Sequence, residues 1–436
     1  MREAHLIDRA VGMAFYASDA DGTGGHLRAI PDHFHVEELP DVDLKPVDAD
    51  ATAYPHLIVR VRLTGWDTYG FVHRLAGELG ISRERIRWAG TKDKEAITTQ
   101  LFSIHGISPT DLPAIDNAEM EPVGRFGRGL TFGDLLGNRF ELVVSDPDDP
   151  EAHREVTESL VEFGDGRLAV PNYFGHQRFG TVRPITHTVG FRILERDWEG
   201  AVMTYLAEST NREPADTREA RRFVRNTRDW ETAYEQFPGK LQHERRLLDR
   251  LRRGDETDYR SALEAFPRSL RRLFVHAAQA VLFNRIVSER LRRGIGPTHT
   301  VSGDIVCFTR EVDHLGQVPD IDRLQTVTES RRSVIERHLS RGRAIVTAPL
   351  VGTDTEIGSG ESAAIVQSVL EDAGVEPADF DLPEPYGSTG TRRAIVAHPG
   401  LSVETEPLTF AFALPSGSYA TVVMREYLKG DPAALG

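Results

Sequence analysis

The sequence predicts an α+β protein in which a β-rich domain is split by an inserted, helix-rich middle. Three observations predict it. Over the first 180 residues the apolar segments have strand length and partial alternation. From about residue 197 the pattern turns helical and arginine-rich, and at residues 408–414 strand character returns. The 436 residues suffice for two or three domains, and 39% hydrophobic against 27% charged residues excludes a disordered chain.

The elements follow in order. Residues 56–63 are apolar and partly alternating, and the strand closes at Thr64-Gly65. Phe71, Val72, Leu75, Ala76 and Leu79 then recur at helical spacing, with Gly80 as the stop. Apolar runs at 85–88 and 97–104 flank the polar loop Ala89-Gly90-Thr91-Lys92-Asp93-Lys94-Glu95. Another strand, 139–144, ends at the acidic, proline-containing turn 146–150, which opens a helix over about 150–163. Residues 240–293 hold Lys240 and thirteen arginines against seven acids, inside a chain of net charge −15. Within them Leu270, Leu273, Phe274, Ala277, Val281, Ile286 and Val287 follow one helical face, which Gly294 ends. This local positive charge has two readings: a solvated helical surface with acids interleaved, or a patch facing nucleic acid. After the strand at 408–414 come the turn Pro415-Ser416-Gly417-Ser418 and a short helix over 419–428.

Composition narrows the class. A single cysteine, Cys307, excludes a disulfide framework and a cysteine-rich zinc site. No run of 18 apolar residues is present, and the N-terminal stretch carries acid and no apolar segment, so no membrane span or signal peptide is expected and the chain is read as cytoplasmic. Lys45, Lys92, Lys94, Lys240 and Lys429 are the only lysines; every other cationic side chain of fixed charge is arginine. Acid excess with lysine depletion reads as adaptation to a high-salt cytoplasm, where hydrated carboxylates keep a surface soluble; drift in a GC-rich genome is the alternative source.

Three segments carry chemistry. Asp93 lies between Lys92 and Lys94, and adjacent cations favour its ionised form, which suits a nucleophile or base; a charged hairpin tip is the plainer reading. No second acid stands beside it in the sequence. Residues 171–180 pack three aromatics, two amides, a cation and two glycines, the groups that stack on and hydrogen-bond a flat polar ring, although Tyr173 or Phe179 could simply pack inward. Residues 28–38 offer Arg28 and Phe34 near acids. His33 and His35 are spaced like a metal pair, but no third ligand accompanies them, and no metal site is assigned. The glycines at 358–360 lack the ending of a phosphate loop, and no dinucleotide fingerprint or nucleophile elbow occurs. His176 is read as a supporting residue rather than a general base.

Taken together, Pro31-Asp32-His33-Phe34-His35-Val36-Glu37-Glu38, the loop from Ala89 through Gln100, and Asn172-Tyr173-Phe174-Gly175-His176-Gln177-Arg178-Phe179-Gly180 resemble the motifs of the tRNA pseudouridine synthase D family. Gln279-Ala280-Val281-Leu282-Phe283-Asn284, Pro349-Leu350-Val351-Gly352 and Leu414-Pro415-Ser416-Gly417-Ser418-Tyr419-Ala420-Thr421 match later motifs in order, and with the composition the resemblance is to a haloarchaeal member. The resemblance implies a pseudouridine-synthase core, a mixed sheet with flanking helices, over 1–190 and 397–436, interrupted at 191–396 by a family-specific α/β domain. It implies a cofactor-free isomerisation of uridine to pseudouridine in tRNA, usually at uridine 13, with no obligatory protein partner and Asp93 in the catalytic aspartate's place. Arg28, Phe34, Lys92, Asn172, Phe174, Gln177 and Arg178 are the substrate-binding candidates it points to. Within that set Phe34 and Phe174 would stack on the flipped uracil, Asn172 could hydrogen-bond Asp93 or the base, and Arg28 could hold Asp93 ionised. Arg28 stands where a lysine is common, and its planar fork leaves its role open. Two rivals are a non-catalytic RNA-binding or RNA-chaperone protein on the same fold, and a glycosidase-like hydrolase using paired carboxylates.

Overall fold

The structure is a computed structural model and describes residues 1–92, 94–255 and 257–435. After a short antiparallel pair, Arg2–Glu3 with Phe15–Tyr16, come β1 (Phe34–Pro40), β2 (His56–Thr64), β3 (Ile86–Trp88), β4 (Ile97–His105), β5 (Ala118–Phe126) and β6 (Leu135–Val143). The strands β7 (Val170–Pro171), β8 (Ile305–Val312), β9 (Gly316–Thr326), β10 (Ala344–Leu350), β11 (Thr391–Ala394) and β12 (Val396–Ala397) follow, then β13 (Ser402–Thr405) and β14 (Leu408–Pro415). The large sheet runs β13-β14-β6-β1-β4-β2-β5, with β3 also paired to β4. Its pairs are antiparallel except β1–β4, where His35 stands level with Ile97. That parallel pair brings the start of β1 beside the end of the 89–95 loop.

Period-2 patterning explains β2. Leu57, Val59, Val61 and Leu63 are buried against Phe71, Val72, Leu75 and Ala76 of the helix Thr68–Leu79. The Asp67 carboxylate accepts the Gly70 N–H at 2.9 Å to start that helix, and Gly80 ends it at φ 63°, a conformation that suits glycine. Arg60 and Arg62 point the other way, opposite Glu121 and Glu119 of β5, while Arg139 of β6 pairs with Glu37 of β1 at 3.0 Å. A cavity of about 530 Å³ on this outer face is lined by four carboxylates and three guanidiniums, so opposite charges are interleaved there. Neither β1 nor β5 stood out from the sequence as a strand, because β1 interleaves its buried positions with His35 and Glu37, and β5 alternates half-buried positions with the exposed Glu119 and Glu121.

Between β7 and β8 the chain is helical, culminating in the 25-residue helix Arg268–Arg292, whose apolar residues sit in the largest core cluster. A second antiparallel sheet, β9-β8-β10-β11, follows. Most arginines of 240–293 are engaged within the protein. Arg250 pairs with Glu264, Arg252 with Glu231 and Asp249, Arg253 with Asp249, Arg268 with Glu384, and Arg292 and Arg293 with Glu289. Arg290 makes a buried two-pronged pair with Asp304. The solvated-surface reading therefore fits this region better than a free cationic patch.

Candidate functional site

The 89–95 loop is tied down by neighbours that the sequence places far away. The Lys92 N–H donates to Thr68 Oγ1 at 2.8 Å, and Gln100 Nε2 donates to the Gly90 carbonyl at 2.8 Å. The Lys92 ammonium ends 2.5 Å from Glu38 Oε1, a carboxylate of β1 that is almost wholly buried. Glu38 is thus an acid that sequence reasoning missed, brought by the β1–β4 pairing to the residue preceding Asp93. Asp93 itself lies outside the described residues. At the start of β1, Phe34 is 3% exposed among Val36, Phe140 and Leu142, and the Arg28 guanidinium lies 4.1 Å above its ring. Arg28 adopts φ 58°, unusual for a residue with a side chain. His33 Nδ1 bonds Ser145 Oγ at 2.9 Å, whereas His35 lines the outer face of the sheet.

The second group is built around Asn172 and Phe174. Asn284, on the long helix, accepts the Phe174 N–H at 2.8 Å and donates from Nδ2 to the Phe174 carbonyl at 3.1 Å and the Val11 carbonyl at 3.0 Å. Tyr173 and Phe179 are fully buried, and Tyr173 Oη bonds Ser288 Oγ at 3.1 Å. The Phe174 ring meets the edges of Phe283 and Tyr419 at 5.6 and 5.9 Å. Over it, at 4.2 Å, lies Arg393, which neither motif nor spacing singled out. Arg393 donates from Nε to the Asn172 carbonyl (3.1 Å), from Nη2 to Asn172 Oδ1 (2.7 Å) and from Nη1 to the Gly417 carbonyl (2.8 Å). Burial pulls this guanidinium down to about 10, so it stays charged at neutral pH. The Asn172 Nδ2 also donates to the Ala394 carbonyl at 2.9 Å. Among the described residues this leaves the amide one N–H and one oxygen lone pair. Gln177 is exposed and its Oε1 accepts the Thr421 hydroxyl at 3.0 Å; Arg178 lies 5.6 Å from the Phe174 ring centre. A Cβ at Gly175 would fall 2.9 Å from Gln177 Oε1 and 3.0 Å from Thr421 Oγ1, so these segments approach closely at that glycine.

Behind this segment stands a buried ionic network. His176 Nε2 lies 2.6 Å from Asp8 Oδ1, Asp8 Oδ2 accepts Arg425 Nε at 2.8 Å, and Arg425 Nη1 donates to Glu426 at 2.9 Å. Burial pushes the Asp8 carboxyl up, but Arg425 and His176 outweigh it and hold it below the usual range. His176 is therefore an anchor, in keeping with the supporting role read from the sequence.

The two groups share a wall. A cavity of about 450 Å³ between the two sheets is lined by Asn172, Arg393, Arg310, Ser416 and Leu135, among others. A Cβ at Gly90 would stand 3.2 Å from Leu135 Cδ2, so the same leucine borders the 89–95 loop. What results is an ion-paired loop and a clamped amide–aromatic pair on either side of Leu135, with cations at both. Such an arrangement can stack a flat base, hydrogen-bond its edge and hold a phosphate.

Comparison with known proteins agrees over the whole chain. The profile of the family "tRNA pseudouridine synthase D (TruD)" matches residues 10–427. The chain is 54% identical over 436 residues to the "Probable tRNA pseudouridine synthase D" of Halobacterium salinarum, covering all of both chains. It is 53% identical over 439 residues to its namesake in Natronomonas pharaonis, again covering all of both. The crystal structure of the "Putative tRNA pseudouridine synthase D (TruD)" from Methanosarcina mazei superposes with a TM-score of 0.83 at 34% identity, over 99% of this chain and 100% of that one. The ordered motifs, the clamped Asn172–Phe174 segment and these full-length matches agree: the chain belongs to the tRNA pseudouridine synthase D family.

Proposed function

We propose that the protein isomerises uridine to pseudouridine at position 13 of tRNA, with Asp93 opening the glycosidic bond. Full-length identity to haloarchaeal relatives named "Probable tRNA pseudouridine synthase D" is the observation that carries the activity on tRNA; position 13 and the role of Asp93 rest on the resemblance of the motifs. Uracil must leave the sugar at N1, turn, and rejoin through C5, so the bond breaks while the base stays trapped. A carboxylate at residue 93 either attacks C1′ or removes the 2′ proton to assist departure; both routes return the carboxylate unchanged. The N1–C1′ bond breaks, the C5–C1′ bond forms, C5 gives up its proton and N1 gains one, so the product is a redox-neutral isomer and no step calls for a cofactor. Extruding the base costs a few kcal/mol, which stacking at about 1–3 kcal/mol per base offsets.

In this reading Phe174 stacks on the extruded uracil and Asn172 uses its remaining N–H or lone pair on the base edge. Phe34, which the resemblance offered as a second stacking ring, is buried in the core with Arg28 over it and in this reading supports the pocket instead of meeting the base. Lys92, paired to Glu38, fixes the loop, while Gln177 and Arg178 meet the RNA backbone. The catalytic core is residues 1–190 with 397–436, and 191–396 is an insertion. In support, the large sheet draws its strands from 34–143 and 402–415 alone among the described residues.

The test is carbodiimide mapping of a tRNA transcript incubated with the purified protein in high KCl. Wild type should give a single modified uridine at position 13. Asp93→Asn should give none while keeping tRNA binding and melting temperature. Conversion by the Asn variant above a trace would move the chemistry to another residue, and release of free uracil would make the protein a hydrolase.

A further inference from the structure

We infer that a groove beside the 89–95 loop is a second RNA contact, stacking an unpaired base near the target uridine and holding its phosphate. This rests on the tRNA reading above. The groove measures about 610 Å³ and is walled by the first turns of the helix Thr68–Leu79, by β3, and by the turn Arg83–Arg85 before it. Tyr69 is 63% exposed, and its ring meets that of Trp88 edge-to-face at 5.5 Å. Val72 and Ile86 form the apolar floor beneath them.

Charge selects the occupant. Arg83, Arg87 and His73 are exposed and make no ion pair among the described residues, and Glu84 is the one carboxylate in the lining. These arginines differ from those of 240–293, most of which already hold an acid. In a chain of net charge −15, two unpaired arginines beside the exposed Tyr69 and the half-buried Trp88 favour a polyanion that also carries flat bases. Arginine suits this site, since its fork engages phosphate and its plane stacks on a base. Position selects the place on the RNA. Thr68, directly before Tyr69, accepts the Lys92 N–H, and Trp88 is two residues from Gly90. A base held here is therefore a close neighbour of the one presented to residue 93.

Steady-state kinetics and equilibrium binding of a tRNA transcript by the full-length chain test the inference. Tyr69→Ala should raise KM for tRNA about tenfold with kcat within about twofold, and Tyr69→Phe, which keeps the π face, should restore KM. Replacing Arg83 and Arg87 together by Gln should reduce the slope of log Kd against log[KCl] by about 1.4, at roughly 0.7 per single-stranded phosphate contact. An unchanged KM and salt slope would overturn the inference and leave the groove to a protein partner. A fall in kcat at constant KM would overturn it too, by making Tyr69 a prop for the loop. If wild type forms no pseudouridine, the parent reading fails, and the binding arm still decides whether the groove holds RNA.

Discussion

Arg393 shows how one side chain can set the geometry of a site without being read as part of it. Its three nitrogens reach the Asn172 carbonyl, the Asn172 amide oxygen and the Gly417 carbonyl, while its plane lies on Phe174. A lysine keeps the charge but has neither the fork nor the plane. Losing the two directed bonds to Asn172, at about 1.5–3 kcal/mol for hydrogen bonds involving a charged group, should lower kcat by roughly 10- to 100-fold in Arg393→Lys. KM for tRNA should change little, because the clamp acts on the extruded base and not on the tRNA body. Single-turnover rates alongside binding isotherms check this; an equal loss in both would make Arg393 a general RNA contact. Asp93→Asn addresses the same scale through the chemistry itself.

At the scale of elements, the helix Ala420–Leu428 joins the two ends of the chain. Its Arg425 bonds Asp8, 417 residues away in sequence, and the adjacent Glu426, while Glu426 accepts the Ala17 N–H at 2.9 Å. Burial pushes Glu426 up even though Arg425 opposes it, whereas Asp8 stays below its usual range, so the guanidinium holds two buried acids of opposite tendency. Arg425→Met removes the guanidinium that both share, leaving Asp8 to His176 and Glu426 to the more distant Lys429. It should destabilise the protein by about 3–5 kcal/mol, measured by denaturant unfolding in high KCl. The Asn172–Phe174 segment should loosen with it, since His176 is tied to the same Asp8.

For the whole molecule, pH and salt are the sensitive variables. Burial, reinforced by Arg285, pulls His187 down to about 4, and burial with Arg167 does the same for His398. Both are neutral in the folded protein, whereas unfolded histidine titrates near 6.5. Protonation therefore favours the unfolded chain: their contribution is complete above about pH 6.5 and drains as pH falls towards 4. The loss is about 1.4 kcal/mol per pH unit for each histidine. Melting temperature should fall over this window, above the range in which most carboxylates titrate, and His187→Gln with His398→Gln should flatten the fall. Salt acts on the acid excess. At 1 M the Debye length is about 3 Å, so repulsion within a chain of net charge −15, and between it and RNA, is largely screened. Melting temperature should rise with KCl into the molar range, and tRNA affinity should fall less steeply than for a basic protein. A melting temperature highest in dilute buffer would trace the lysine shortage to genome composition instead.

By itself the sequence determined the elements whose residues agree locally. β2 with its period of two, the helix that Gly80 ends, the polar loop at 89–95, and the return of strand character near residue 408 were all legible, because side-chain period and stop signals act over a few residues. The ordered motifs named the family for the same reason, each being a short stretch of fixed spacing. Tertiary structure alone decided what depends on distant partners. β1 and β5 became strands because the sheet pairs their charged faces, Arg60 with Glu121 and Arg139 with Glu37. Lys92 acquired Glu38, Asn172 acquired Arg393, and Arg250, Arg252, Arg253, Arg268, Arg290, Arg292 and Arg293 acquired acids, so that part of the apparent cationic patch is neutralised within the protein. A charge or an amide carries no record in sequence of what will neutralise or orient it; that follows only from which strands pair and which helices pack.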